Sequence, residues 1–130
     1  MPKKRPLPRP TDAELELLGV LWENGPGTVR EIHESLGREK DTGYTTTLKI
    51  LQNMTEKGLV RRDESQRSHI YEPVLAAEQT QRQLVRDLMA RAFRGSPVRL
   101  VLQALSEHPS TPEELAEIRA LLDELNPKQP

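Results

Sequence analysis

The spacing of apolar residues changes at Gly58, and that switch narrows the possible folds more than any other feature of the chain. Before it, three segments repeat apolar residues at helical period. After it come two short β-like runs, and helical spacing returns from Glu78 onward. Thr11-Asp12-Ala13-Glu14 is a capping box that opens the first helix, whose stripe is Leu15, Leu18, Val20, Leu21 and Trp22. Asn24-Gly25-Pro26-Gly27 breaks it. Thr28-Val29-Arg30-Glu31 is a second capping box for a short helix carrying Val29, Ile32, His33 and Leu36. Gly37 to Gly43 is a polar turn, and the third helix runs from Tyr44 to its stop at Gly58. Leu59–Asp63 and Ser68–Glu72 are the β-like runs, and Glu64-Ser65-Gln66-Arg67 between them fits a hairpin turn. Helix, helix, helix, hairpin is the order of a winged helix-turn-helix, in which the third helix enters a DNA major groove.

The third helix raises a question of composition. It begins Tyr44-Thr45-Thr46-Thr47, although β-branched threonine is a mediocre helix former. Stepping about 100° per residue puts Tyr44, Thr47, Leu48, Leu51 and Met54 on one face, the expected buried one. Thr45, Thr46, Lys49 and Asn53 fall opposite, with Gln52 at the edge, and no acid joins them until Glu56. Thr, Gln and Asn can bond base edges, the Thr methyl can touch a thymine methyl, and Lys can hold a phosphate. Short threonines also let the backbone approach the groove closely. Thr45, Thr46, Lys49, Gln52 and Asn53 are therefore the expected DNA contacts. The plainer reading is a solvated threonine-rich face capped by Thr42. Inside this element order the contact surface is the better reading.

Bulk charge does not point to nucleic acid. The net charge is -1, and residues 1–75 carry 12 basic against 12 acidic side chains. The basic character is local. Lys3, Lys4, Arg5 and Arg9 stand in a proline-rich arm without acids, and residues 57–67 carry Lys57, Arg61, Arg62 and Arg67 against Asp63 and Glu64. Arg62 and Arg67 are expected to reach the DNA backbone or minor groove from the hairpin. Because Arg61 and Arg62 alternate faces, only one of them should point at DNA. An ordinary charged hairpin, and an arm that serves solubility alone, are the alternatives.

The remainder of the chain is helical. Leu84, Val85, Leu88, Met89, Ala92 and Phe93 share one side of a segment over Glu78–Phe93. Ser96-Pro97 starts a helix with Val98, Val101, Leu102 and Leu105 in phase. Thr111-Pro112-Glu113-Glu114 opens the last, striped by Leu115, Ile118, Leu121, Leu122 and Leu125. Three short amphipathic helices are hard to stabilise alone. A second copy is the expected partner, through Leu84, Leu88, Phe93, Val101, Leu102, Leu105, Leu115, Ile118 and Leu122. An intrachain helical cap on the winged helix is the alternative.

Other functions find little support. Mean hydropathy is -0.68 and no run approaches the roughly 20 apolar residues of a membrane span. The basic N-terminus has no apolar h-region, so no secretory signal is expected and the expected location is cytoplasmic. The chain has no cysteine, hence no disulfide and no thiolate metal site. His33, His69 and His108 are scattered and form no ligand pair, so neither a metal nor another cofactor is expected. No phosphate loop or nucleophile motif suggests an enzyme. Trp22 is expected to pack in the core.

The stretch from Thr11 to Leu36, followed by "GYTTTLKILQNMTEKGLVRRD" and "IYEP", resembles the penicillinase repressors, the BlaI/MecI transcriptional regulators, with copper-responsive CopY as a relative. The resemblance covers residues 9–74 most strongly. It implies a dimeric winged-helix repressor on operators of inverted-repeat symmetry. By position, Thr45, Thr46 and Lys49 match the groove-facing part of the family's recognition helix, and Arg67 lies in the wing. CopY-like members carry a cysteine-rich tail that this chain lacks, so copper sensing is not implied. In the β-lactam branch a membrane sensor-protease system, here an implied partner, cuts an Asn-Phe bond in the tail. The matching position here is Gln103–Ala104, a different pair that also lies in the expected dimer helix.

The expected architecture is thus mainly α. It comprises a flexible arm over 1–10, a winged helix over 11–75, a helical dimerisation region over 76–126 and a flexible end over 127–130. The expected function is a homodimeric DNA-binding repressor on a double-stranded operator, without membrane insertion. The rival is a winged-helix protein-interaction module that binds no DNA, and the net-neutral first half is its best argument.

Overall fold

A computed structural model describes residues 8–37 and 43–126. Most of the N-terminal arm, the turn that includes Thr42, and the last four residues lie outside the described residues. The order is α1 (Asp12–Asn24), α2 (Val29–Gly37), α3 (Tyr44–Lys57), β1 (Val60–Asp63), β2 (Ile70–Pro73), α4 (Ala77–Ala92), α5 (Pro97–Glu107) and α6 (Pro112–Leu125). This is a mainly helical chain with a winged helix-turn-helix at its front. It divides into two compact units, Met1–Leu84 and Val85–Pro130, and the division falls within α4.

Helices α1, α2, α5 and α6 start where side chains satisfy backbone N–H groups that have no partner within the helix. Thr11 accepts from the Glu14 N–H at 3.2 Å while Glu14 accepts from the Thr11 N–H at 2.9 Å. Thr28 with Glu31 and Thr111 with Glu114 repeat that exchange. Ser96 caps α5 ahead of Pro97. Helix α3 differs, because its N-cap is Gly43 and no side chain caps it. It stops at Gly58, which adopts φ 83° and returns its N–H to carbonyls of the last turn. A left-handed residue there turns the chain directly into β1.

The core of the first unit is Leu17, Leu18 and Leu21 of α1, Val29 and Ile32 of α2, Leu51 and Met54 of α3, with Leu59, Val60 and Tyr71. Full burial of such side chains is worth about 1.5–3 kcal/mol each. Two expectations need correction. Leu17 is buried although the expected stripe of α1 passed over it, and Leu15 is only half-buried. Tyr44, assigned to the buried face of α3, is 48% exposed, because the first turn of α3 runs past the edge of the core.

The antiparallel hairpin pairs Val60 with Pro73, Arg61 with Glu72, Arg62 with Tyr71 and Asp63 with Ile70. Its loop spans 64–69, longer than the four-residue turn expected. A further bridge joins Gly27 to Tyr71, with N–H···O distances of 3.0 and 2.8 Å. That bridge fixes the hairpin against the loop between α1 and α2. Trp22 does pack against the core, and its indole N–H also donates to the Leu75 carbonyl at 3.0 Å. One polar group is buried with purpose. Glu14 takes a 2.6 Å bond from Lys57 Nζ, which ties the start of α1 to the end of α3. Burial pushes the Glu14 carboxyl up, but the Lys57 and Thr11 bonds outweigh it and hold its pKa below the usual value.

Helices α5 and α6 contain no buried residue. Leu88, Val98, Val101, Leu102, Leu121, Leu122 and Leu125 are exposed, and Leu84, Phe93, Leu115 and Ile118 are half-buried. Leu105 is also exposed. No helix among the described residues is long and apolar enough to cross a membrane.

Candidate nucleic-acid interface

Helix α3 is held from behind. Thr47, Leu51 and Met54 are fully buried, and Leu48 and Ile50 pack partly against the core. His33 of α2 reaches the first turn, with Nδ1 2.9 Å from Thr47 Oγ1 and its ring edge-on to Tyr44 at 5.8 Å. Thr47 is therefore an internal polar contact, as its place on the inner face implies. Thr45, Thr46, Lys49, Gln52 and Asn53 are all exposed on the other face. None of the five has a side-chain hydrogen bond or ion pair among the described residues, so their donors and acceptors are available to a ligand. Thr46 stands at the rim of a cleft it shares with Ala13, Leu17, Leu36 and Ile50.

The hairpin is less free than its composition implies. Arg61 pairs with Glu72 at 3.3 Å. Arg62 pairs with Glu64 at 2.5 Å, and its bonds to Tyr71 and Glu64 raise the guanidinium pKa. Lys57 is engaged by Glu14 and by the Arg9 carbonyl. Three of the four cations expected to form a basic patch over 57–67 are thus committed within the fold. Arg67 has no carboxylate partner among the described residues and is exposed. The structure groups Arg67 with α3 but holds Arg62 in the hairpin ladder. The turn is set by Asp63, whose carboxylate accepts the Ser65 N–H at 2.9 Å, and the Ser65 bonds lower its pKa.

A cleft of about 390 Å³ opens between the start of α2, the first turn of α3 and the hairpin loop. Arg30, Tyr44, Arg67, Ser68 and His69 line it together with the capping residue Thr28, and no carboxylate among the described residues does. Sequence reasoning missed Arg30 and Tyr44 here and took His69 only as one of three scattered histidines. Arg30 carried a weak signal, because it sits in the first turn of α2. Tyr44 carried none, because its helical phase matches the core. Gln103 and Ala104 lie inside α5, both exposed. A protease would have to unwind helix there to reach the peptide bond. Among the described residues no cluster of His, Cys, Asp or Glu could hold a metal ion.

Residues 10–124 match the family model described as penicillinase repressor. Over 118 residues the chain is 32% identical to the transcriptional regulator BlaI of Mycobacterium tuberculosis, covering 90% of this chain and 86% of that protein. Over 118 residues it is 23% identical to the penicillinase repressor of Bacillus licheniformis, covering 91% of this chain and 92% of that one. The solution structure of the DNA-binding domain of the repressor BlaI superposes with a TM-score of 0.50 at 23% identity, covering 57% of this chain and 90% of that one. The solution structure of monomeric Bacillus licheniformis BlaI bound to the blaP half-operator gives a TM-score of 0.50 at 23% identity, over 58% of this chain and 92% of that one. These likenesses agree with the winged-helix architecture described above.

Proposed function

This chain belongs to the penicillinase repressor family, and from that premise we propose that it is a homodimeric, sequence-specific transcriptional repressor that occupies an inverted-repeat operator. The observation that carries the reading is the exposed, acid-free strip of Thr45, Thr46, Lys49, Gln52 and Asn53 on a helix buried along its other face. A helix fixed in this way can enter a major groove without refolding, and its short side chains let the backbone approach the base edges. Arg67 adds a phosphate contact from the wing, while Arg62 stiffens the wing through Glu64 and Tyr71.

The exposed apolar stripes of α4, α5 and α6 support a dimer with a second copy, built on Leu84, Leu88, Phe93, Val101, Leu102, Leu105, Leu115, Ile118 and Leu122. Two α3 helices set about 10 bp apart, or a multiple of that, would then read two half-sites. Linking the half-sites makes the second contact effectively intramolecular, so the dimer gains affinity that a monomer lacks. Repression follows from steric occlusion of the promoter by the bound dimer. The repressor role involves no enzymatic step and goes with a cytoplasmic location.

Fluorescence anisotropy tests this. The probe is a duplex of the DNA upstream of its own gene, compared with a scrambled duplex from 50 to 200 mM salt. The expected result is selective binding with a linear log–log salt dependence. Equal weak binding to both duplexes, or none, would instead favour a protein-interaction module.

A further inference from the structure

We propose that the cleft between α2, the first turn of α3 and the hairpin loop seats one phosphodiester of the DNA strand beside the groove that α3 enters. This rests on the repressor reading and extends the contact surface to α2, to which no DNA contact has been assigned above. The cleft holds about 390 Å³, room for a phosphate with its flanking sugar atoms. Its chemistry is one-sided. Arg30 approaches from α2, Arg67 and His69 from the hairpin loop, and the half-exposed Tyr44 from α3, and no carboxylate among the described residues lines it. Neither Arg30 nor Arg67 has a carboxylate partner among the described residues, in contrast to Lys57, Arg61 and Arg62, which the fold pairs.

That contrast is informative on a chain of net charge -1. Arg61 and Arg62 of the hairpin are neutralised within the fold, whereas Arg67 of its loop and Arg30 of α2 line one concave surface. Arginine presents several N–H donors in a fixed fork suited to phosphate oxygens. The Tyr44 and Ser68 hydroxyls and the His69 imidazole can donate further bonds. Leu48 and Tyr71 form the apolar floor, which limits water around the bound anion. The cleft adjoins Tyr44 and hence the first turn of the strip that reads bases. A strand held here would set the depth and register of α3 in its groove.

The test is a neutral-linkage scan. Single methylphosphonate linkages replace one phosphate at a time in the duplex from upstream of its own gene, and wild type is compared with Arg30→Ala, Arg67→Ala and His69→Gln. At one backbone position per half-site, wild type should lose about tenfold in affinity. Arg30→Ala, already weakened on the natural duplex, should lose no more there, while it still responds to every other position. Arg30→Lys should recover part of the affinity, and thermal melting should show all four variants folded, since these side chains are exposed. The proposal is overturned if Arg30→Ala binds the natural duplex like wild type, or if its deficit adds equally to every substitution. It is also overturned if inorganic phosphate at matched ionic strength competes with the duplex through Arg30, which would make the cleft a free-phosphate site. Failure of wild type to bind the natural duplex would defeat the repressor reading itself, a different outcome from an uncoupled Arg30.

Discussion

Single residues in this chain divide between those that hold the frame and those left open to a ligand, and substitution should separate them. Thr46→Ala removes an exposed hydroxyl and methyl from α3, so the preference for operator over scrambled DNA should fall, a change read directly by competition binding. Arg67→Ala should weaken binding to all sequences alike and flatten the log–log salt dependence by about one unit. Glu14 belongs to the frame. Its folded pKa is depressed, so the ion pair with Lys57 contributes fully above the unfolded carboxylate value and is lost as pH falls through the lower, folded value. Glu14→Gln keeps the capping-box geometry but not the charge. It should cost about 1 kcal/mol at neutral pH, a small figure because Lys57 is partly exposed and screened. The gap between the two melting curves should close in acid. The capping role of Glu14 was legible in Thr-x-x-Glu. Its partner was not, because Lys57 lies far along the chain and only tertiary packing brings the two together.

At the scale of elements, starts and stops were the most legible features, because capping boxes and left-handed glycines act through local backbone chemistry. Gly58 illustrates this. It holds φ 83° with nothing near the position a Cβ would take. Gly58→Ala should therefore cost about 1 kcal/mol of backbone strain with no steric clash, measurable by chemical denaturation. What the period could not reveal was how elements are tied together. The Gly27–Tyr71 bridge is a single residue pair, too short to leave an alternating pattern. The pairing of Arg61 with Glu72 depended on register, and Arg62, expected at DNA on its charge, is held by Glu64 two residues on. The first turn of α3 shows the same limit, since Tyr44 follows the apolar phase but lies past the end of the core that would bury it.

For the whole molecule, the two units differ in how they meet their apolar surface. Among the described residues, those up to Leu84 bury ten hydrophobic side chains in one core, whereas α5 and α6 bury none. The sequence pattern located these stripes, but the same stripe suits an intrachain cap or a second copy, so periodicity left the partner undecided. On the dimer reading, Leu102→Asp should leave the winged helix folded and selective for a half-site. It should abolish dimerisation and lower operator affinity by about 100-fold or more, as seen by sedimentation and anisotropy together. The central claim is a dimer that reads two half-sites. It is tested most directly by a stoichiometric titration of the duplex from upstream of its own gene, with the mass of the complex measured by analytical ultracentrifugation. Two chains per duplex, and no such complex on scrambled DNA, is the result expected. A single chain per duplex, or complexes of equal stability on both DNAs, would contradict it.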